Sequence, residues 1–577
     1  MVAQSTAWLS ILGGAMWYFW KVYRKNKQFR EDIAAGRNSA EWHWNMVQGR
    51  PEDFAATSGE LFVLTIALSL ILAYACNSDY IKSNPLKERL GHNPSYLGFG
   101  VQPSLCVAAP LFVFVVYAKV RYVYLHYMRS LQLELSHRQR MTVFVSTCAV
   151  VPSWAASILI FCVQPSDSPG TSLAPGRPLA HTCLFFQCIF MDYASFLANY
   201  LATEPRCHPK GGPGFCLAYG FVTISFAICT IFQISMYEPS TITTTQKMGP
   251  IPWWLIASLD WLWLLCMIIQ IYMRPNAAEV CVGAVMISSE NFTVEDEDLP
   301  SRESEGTPIA DTDGVHSRMR STLALYKLAT RRPQWRRSNS GTSIRTVDAN
   351  SPEDWKTAGG ELLVIAMIIS WALTSVFAPE VIEDNPLQAR VGYNNLCVGW
   401  DLPPAQLVAA PIFLVIVICN MRFDSMALFR SALTEKRTPS QWRVARISKH
   451  MDAFSWACSF LIFVVKPTDS PGSNLAPFTH SVAFVQLTWV GFLTYMCECF
   501  QTDAVHHPAG SGVFCCVYGL VTFTFMVFAI IMMTAYDPQA KNLGPIPWWL
   551  VAASDYAWFA CMAFQGFFRP RAPCVQI

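Results

Sequence analysis

The chain contains GPIPWWLIASLDWLWLLCMIIQIYMR from Gly249 to Arg274 and GPIPWWLVAASDYAWFACMAFQGFFR from Gly544 to Arg569. Each stretch opens on two prolines and a pair of tryptophans and continues as an apolar run that holds one aspartate. A hydrocarbon core ~30 Å thick needs roughly 20 apolar residues per helix, because lipid offers no partner to an unpaired backbone group. Both stretches are therefore predicted to cross a membrane as helices.

The composition of the whole chain also indicates a membrane protein. Of its 577 residues, 53% are apolar and only 14% are charged, whereas soluble domains average about 25% charged residues. So few charges cannot cover a water-facing surface of this length, which excludes an ordinary cytosolic enzyme. The formal net charge is +2, and without a basic recognition helix, zinc spacing or Walker loop no nucleic-acid partner is expected.

Comparable apolar stretches occur along the rest of the chain. Six membrane-spanning helices are predicted before residue 275, at about 60–77, 102–124, 141–163, 180–201, 214–236 and 251–273. Six more are predicted at about 361–378, 402–423, 450–465, 479–500, 512–535 and 546–568. The sequence thus predicts an all-α polytopic membrane protein with twelve transmembrane helices.

The two sets of six spans carry matching motifs in the same order. PED at 51–53 matches PED at 352–354, AAP at 108–110 matches AAP at 409–411, and PSDSPG at 165–170 matches PTDSPG at 467–472. We therefore expect two tandem six-span repeats, residues 50–275 and 351–577. An even number of spans places both copies in the same orientation, so the repeat is parallel rather than inverted.

Positive charge sets the predicted orientation, because cytoplasmic flanks gather Lys and Arg. If both repeats start inside, only eight of the 42 basic residues fall on the outer side: Lys82, Lys87, Arg89, Arg177, Lys247, Arg390, Lys466 and Lys541. The amino terminus, the segment between the repeats and the short tail at the carboxyl terminus are therefore predicted to be cytoplasmic.

The segments outside the repeats are predicted from their composition. In the cytoplasmic segment 1–49, Trp8–Trp20 is apolar but short, and Lys21 and Arg24 follow it. This pattern favours an interfacial anchor helix on membrane lipid, with a thirteenth span as the alternative. The linker 276–350 is acidic, then basic and rich in serine, which is typical of a mostly disordered segment.

The sixth span of each repeat holds the main candidate site. Its five residues are Asp260, Trp263, Met267, Gln270 and Arg274 in the first repeat, and Asp555, Trp558, Met562, Gln565 and Arg569 in the second. At ~100° per residue they fall within an arc of roughly 80°, on one face of a helix. This shared face predicts a polar stripe that runs through the membrane.

The aspartates are the residues of this stripe whose burial in a membrane costs the most free energy. With Trp254 at the interface, Asp260 lies about 9 Å inside the membrane, where an ionised carboxylate costs up to ~3 kcal/mol. The functional hypothesis is that Asp260 and Asp555 line a path for a cation or a proton. The same path would include Gln270, Gln565, Trp263 and Trp558. The alternative is that each carboxylate is a structural hydrogen-bond acceptor for a neighbouring span.

A second candidate lies at the predicted outer mouth of each repeat. Asp167 and Asp469 follow the third spans, and His181 and His480 open the fourth. Histidine titrates near pH 6.5, so these groups could relay protons or sense pH. The alternative for the aspartates is a turn, because Asp-Ser-Pro-Gly is a strong turn sequence.

The leading functional hypothesis is a transporter or channel that moves a cation, a proton or a proton-coupled small solute between two homologous six-helix halves. The alternative is a non-transporting receptor-like or scaffold protein that acts through its cytoplasmic linker. A membrane-embedded lipid enzyme ranks below both, because no nucleophile, base and headgroup site meet at one interface. No catalytic residue, metal site or cofactor is predicted: no spans pair histidines for haem, and the sixth spans lack a lysine for retinal.

Overall fold

The computed structural model describes residues 51–132, 137–163, 176–203, 208–235, 251–274, 352–401, 403–433, 439–465, 476–502, 507–535 and 545–570. These residues form helices and connecting turns, with no β-strand among them. The predicted anchor helix, the linker, the last seven residues, Asp167 and Asp469 lie outside the described residues.

Residues 51–274 are called the N-terminal half. Its helices are α1 (Pro51–Cys76), α2 (Ser78–Ser83), α3 (Pro85–Leu90), α4 (Ser104–Gln132), α5 (His137–Ser157), α6 (Gly176–Ala202), α7 (Gly212–Ser235) and α8 (Trp253–Ile269). A 3₁₀ turn at Leu97–Phe99 precedes α4, and a second one at Ile158–Phe161 extends α5.

Residues 352–570 are called the C-terminal half. Its helices are α9 (Pro352–Phe377), α10 (Pro379–Glu383), α11 (Pro386–Val391), α12 (Ala405–Leu433), α13 (Pro439–Ser459), α14 (Ala476–Gln501), α15 (Ser511–Thr534) and α16 (Trp548–Phe568). The 3₁₀ turns are Leu396–Trp400 before α12 and Phe460–Phe463 after α13.

The described residues confirm an all-helical fold, and the length and apolarity of the helices fit a membrane-embedded protein. Among the described residues, eight helices are long and apolar enough to cross a membrane: α1, α4, α5, α7, α9, α12, α14 and α15. The helix α8 is apolar but has only 17 residues. The remaining long helices, α6, α13 and α16, carry the buried charges Asp192, Asp452 and Asp555 along their lengths.

The chain between α1 and α4 folds over one end of the helices, and the chain between α9 and α12 does the same. This end is called the loop end. Asn84 caps α3, since its side chain accepts a hydrogen bond from the Leu86 N–H at 2.9 Å, and Pro85 fills the first helical position. The helix stops at Gly91, whose φ of 79° is the left-handed conformation that glycine adopts at low cost. Asn385 and Gly392 bound α11 in the same way.

The two halves pack against each other through α4, α12 and the ends of α5 and α13. Val107 and Leu111 of α4 lie in one buried cluster with Leu72 of α1 and Cys458 of α13. Larger side chains from both halves continue this core. Around Phe62, the rings of Phe112, Trp154 and Trp263 have centroids within 5.9–6.2 Å.

The first prediction concerns the close contact between the loop end and α1. A Cβ atom at Gly98 would lie 2.5 Å from the backbone carbon of Ser69, which requires the 3₁₀ turn to move away from α1. We expect Gly98→Ala to lower the free energy of unfolding by roughly 1–3 kcal/mol. Thermal unfolding of the purified protein in detergent measures this loss.

The matched control is Gly214→Ala in α7, where a Cβ atom would have no neighbour within 4 Å. Alanine is the better helix former, so this variant should be neutral or more stable by up to ~1 kcal/mol. If both variants unfold at the same temperature, the turn is not packed as tightly against α1 as the structure indicates.

Candidate functional site

The predicted stripe on α8 and α16 faces the interior of each half. All five of its residues in the N-terminal half are at most 5% exposed, and all five in the C-terminal half are at most 3% exposed. In the N-terminal half, Asp260 contacts the loop end, Trp263 packs in an aromatic core, and Gln270 donates a hydrogen bond to a buried ion pair. The stripe therefore crosses three different environments.

Asp260 binds the loop end. Its carboxylate accepts a hydrogen bond from the Ser95 backbone N–H at 2.8 Å and one from the Ser95 hydroxyl at 2.6 Å. His92 Nε2 lies 3.8 Å from the same carboxylate. Hydrogen bonds to an ionised acceptor are roughly twice as strong as neutral ones. Asp260 therefore holds the chain before α4 against α8.

Asp555 makes the corresponding contacts in the C-terminal half. The Tyr393 hydroxyl donates to its carboxylate at 3.0 Å, and the Leu396 backbone N–H donates to it as well. Burial raises the pKa of Tyr393, and the nearby Asp555 charge raises it further, so the phenol keeps its proton and remains a donor. These contacts agree with the structural alternative, and a path role for either aspartate remains a prediction.

His181 and His480 also lie at the loop end, and both are buried. Nδ1 of His181 lies 2.7 Å from the Val163 carbonyl oxygen, and Nδ1 of His480 lies 2.5 Å from that of Val465. Their Nε2 atoms differ, because His480 Nε2 lies 3.3 Å from the Asp401 carboxylate. The position that matches Asp401 in the N-terminal half is Gly100. A carboxylate therefore faces the histidine in the C-terminal half.

A cavity of 130 Å³ adjoins His480. Tyr393, Asn395 and Ser481 supply its other polar side chains, while α14 and α15 supply mostly apolar ones such as Phe484 and Phe525. The His480 and Tyr393 side chains thus border a small, mostly apolar cavity in this half.

In the N-terminal half, a buried ion pair lies next to Gln270, at the end of the stripe that is away from the loop end. Lys119 of α4 contacts the Asp192 carboxylate of α6. The other Asp192 oxygen accepts hydrogen bonds from Gln270 Nε2 at 2.8 Å and from the Tyr219 hydroxyl at 3.2 Å. Arg274 Nη2 then donates to the Gln270 carbonyl oxygen at 3.3 Å. Three helices and the residues after α8 meet in this network, which is called the N-terminal charge cluster.

A larger cluster occupies the corresponding end of the C-terminal half and is called the C-terminal charge cluster. It has three cations and three carboxylates, drawn from α9, α12, α13, α14 and the residue after α16. Its members are Lys356, Asp424, Lys449, Asp452, Glu498 and Arg569. Five of the six are at most 5% exposed, so the cluster is shielded from solvent.

Lysines connect the carboxylates within this cluster. Lys356 Nζ lies 3.2 Å from the Asp452 carboxylate, and Lys449 Nζ lies 3.5 Å from that of Asp424. Lys449 also contacts Glu498. The formal charges of the six groups sum to zero, so the cluster balances itself without an external ion.

Apart from Arg274 and Arg569, the charges of the two clusters occupy different positions, so sequence comparison of the two halves missed them. Asn420 stands where Lys119 would be, and Gly491 stands where Asp192 would be. A search for matched residues therefore finds the stripe and passes over its ion-pair partners. The available signal was simpler, since any charged residue within a predicted span has to find a buried partner.

Aromatic side chains separate the loop end from the N-terminal charge cluster. The Trp263 ring lies 5.3 Å from the Phe185 ring and 6.2 Å from the Phe62 and Phe226 rings. Asp260 and Gln270 are ten residues apart, which is ~15 Å along a helix. The two polar sites of this half are thus divided by packed rings.

The chain was compared with protein-family models, with curated proteins and with solved structures, and none of the three comparisons gives a match. The functional argument for this chain therefore comes from the geometry of its buried polar groups.

The second prediction tests the role of Asp260 at the loop end. Asp260→Ala removes the acceptor of both Ser95 hydrogen bonds, so the free energy of unfolding should fall by about 1–3 kcal/mol. Ser95→Ala should cost less, because the backbone N–H still donates to Asp260. Hydrogen exchange of residues 85–97, measured by mass spectrometry, should be faster in Asp260→Ala than in the natural protein.

Asp79→Ala is the control from the same loop, since the Asp79 side chain is 95% exposed. It should change stability by less than ~0.5 kcal/mol. Unchanged exchange of residues 85–97 in Asp260→Ala would show that the carboxylate does not hold the loop.

The third prediction tests the energetics of the C-terminal charge cluster. Lys356→Met leaves the Asp452 carboxylate buried without its lysine, so it should cost about 3–5 kcal/mol. The double variant Lys356→Met, Asp452→Leu removes both charges and should recover most of that loss. Unfolding in detergent at neutral pH compares the three proteins. A double variant as unstable as the single one would mean that packing, not charge, sets the loss.

Proposed function

We propose that the chain is a membrane transporter that moves a proton or a small cation through its two six-helix halves. The observation that carries the proposal is the burial of interacting ionisable side chains, in each half, on helices expected to span the membrane. Both halves have the same order of long helices, which supports twelve spans arranged as two tandem parallel repeats.

The energetic cost of these charges supports a functional role. A charged side chain at the centre of a bilayer costs ~2.5–3.5 kcal/mol on insertion scales, and such groups commonly mark ion paths or proton relays. Replacing a buried ion pair by apolar side chains is often neutral or stabilising, so stability alone does not account for the clusters.

The chemistry of the N-terminal charge cluster suits a proton. A proton that reaches Asp192 neutralises the carboxylate and removes its attraction for Lys119. The Lys119 charge is then unpaired in an apolar environment, which favours rearrangement of the helices that carry the two residues. Proton binding at Asp192 would in this way be coupled to a change of structure.

The path that we propose follows α8 from Asp260 at the loop end to Gln270 and Asp192, and follows α16 in the same direction from Asp555. His181 and His480 would relay protons near the entry. The rings packed around Trp263 close the path in this conformation, so transport would require them to separate.

The proposed orientation places the charge clusters toward the cytoplasm and the loop end on the outer side. The positive-inside rule supports it, because the basic residues concentrate in segments on the side of the clusters. The amino terminus, the linker and the carboxyl terminus would then all be cytoplasmic.

The fourth prediction is a flux measurement on purified protein in liposomes that enclose a pH-sensitive dye. An imposed pH gradient should dissipate through the natural protein, and sodium and potassium gradients are tested in parallel. Asp192→Asn combined with Asp452→Asn should reduce the flux at least tenfold. Asp260→Asn combined with Asp555→Asn tests the loop-end carboxylates in the same assay.

Asp79→Asn serves as the control for an exposed carboxylate and should leave the flux unchanged. Each variant is first compared with the natural protein by size-exclusion chromatography and thermal unfolding. Undiminished flux in both double variants would refute a carboxylate path. Absence of any flux from folded natural protein would refute transport and favour the receptor or scaffold alternative, which deletion of the linker would then test.

A further inference from the structure

Arg274 is a buried cation without a carboxylate partner among the described residues. It is 5% exposed, and its Nε and Nη1 atoms make no hydrogen bond. Its bond through Nη2 is to the neutral Gln270 amide, and the Tyr122 and Phe196 rings lie 5.2 and 5.8 Å from its Cζ. An unpaired buried charge is costly, so a group that pairs with Arg274 would bind with favourable energy.

Arg569 occupies the matching place in the C-terminal half, and it has a carboxylate partner. Its Nη1 donates to Glu498 of α14, while its Nη2 donates to the Gln565 carbonyl oxygen at 2.9 Å. The Arg274 and Gln270 pair repeats this second contact but lacks the first. The difference between the two arginines is therefore one carboxylate.

The residue that matches Glu498 in the N-terminal half is Asn199. A contact that occurs in both halves fixes their alignment here. His208 Nε2 lies 3.1 Å from the Thr203 carbonyl oxygen, and His507 Nε2 lies 3.0 Å from that of Thr502. Thr203 and His208 follow Asn199 at the same distances along the chain as Thr502 and His507 follow Glu498. Asn199 is 3% exposed, so a neutral amide stands buried where the other half places a negative charge.

The N-terminal charge cluster as a whole also has one carboxylate too few for its cations. The C-terminal charge cluster has equal numbers of cations and carboxylates, as described above. In the N-terminal charge cluster, Lys119 and Arg274 face the single carboxylate of Asp192. These three groups carry one net positive charge, which an added monovalent anion would cancel.

We propose that the N-terminal half binds a small monovalent anion at Arg274, in the place that the Glu498 carboxylate fills beside Arg569. The free Nη1 donor of Arg274 matches the Arg569 Nη1 that donates to Glu498, and it suits one oxygen of a carboxylate or a chloride ion. Asn199 is shorter than glutamate by one methylene, and aromatic rings flank the guanidinium, so the ligand must be small.

The test measures thermal unfolding of the full-length protein in detergent with sodium chloride or sodium formate as the probe. Ionic strength is kept constant with the sodium salt of a bulky morpholine sulfonate, which a buried site would exclude. One or both probes should raise the unfolding temperature of the natural protein saturably by a few degrees, because a ligand that binds only the folded state stabilises it. Chloride and formate are titrated separately to identify which anion binds.

Variants at two positions make the test specific. Asn199→Glu supplies the carboxylate within the chain, so it should abolish the response to the anion; Arg274→Gln should abolish it as well. Asn199→Gln has the size of glutamate without its charge, so it fills the proposed ligand space and should weaken the response, which tests whether the ligand lies beside residue 199. Glu498→Asn should gain a second response, because it leaves Arg569 unpaired and gives it the same shorter amide neighbour that Arg274 has.

The proposal is overturned if neither anion stabilises the natural protein, or if Arg274→Gln and Asn199→Glu respond as strongly as the natural protein. Isothermal titration with the same two anions provides a second readout that does not depend on the stability of a variant. Because both measurements are made without a gradient, the anion site can fail while proton transport holds, and the reverse is also true.

Discussion

In an apolar helical bundle each buried charge has to be compensated by a nearby group, since the interior and the lipid solvate it poorly. This requirement links the features of the structure. Lys119 draws α4 toward α6, and Lys356 draws α9 toward α13. Asp260 similarly holds the loop end against α8. The polar contacts therefore connect helices that otherwise touch little, while the aromatic side chains around Trp263 fill the space between them.

The helical, membrane-embedded character of the protein could be predicted from the sequence because it depends on local composition. Runs of apolar residues favour membrane-spanning helices. Asn-Pro and Gly mark where a helix begins and ends, as Asn84 and Gly91 do for α3. The buried face of α8 could also be predicted, since the spacing of Asp260, Trp263 and Gln270 follows the helical repeat. In the structure this face is buried.

The partners of that face could not be predicted, because they lie far away along the chain. Ser95 donates to Asp260 across 165 positions, and Gln270 reaches Asp192 across 78. Comparison of the two halves hid the ion pairs rather than revealing them, since Lys119 matches Asn420 and Asp192 matches Gly491. Asp401 escaped notice for the same reason, although it lies beside His480.

The different placement of charge in the two halves has a consequence for how the protein can change over evolution. The charged groups of each cluster contact residues of their own half, so a substitution such as the one that separates Asn199 from Glu498 needs no matching change in the other half. The halves can therefore diverge independently while keeping the same helix order. A chimera that joined two copies of either half would carry duplicate clusters of one kind, and it would lack the electrostatic asymmetry that distinguishes the natural chain.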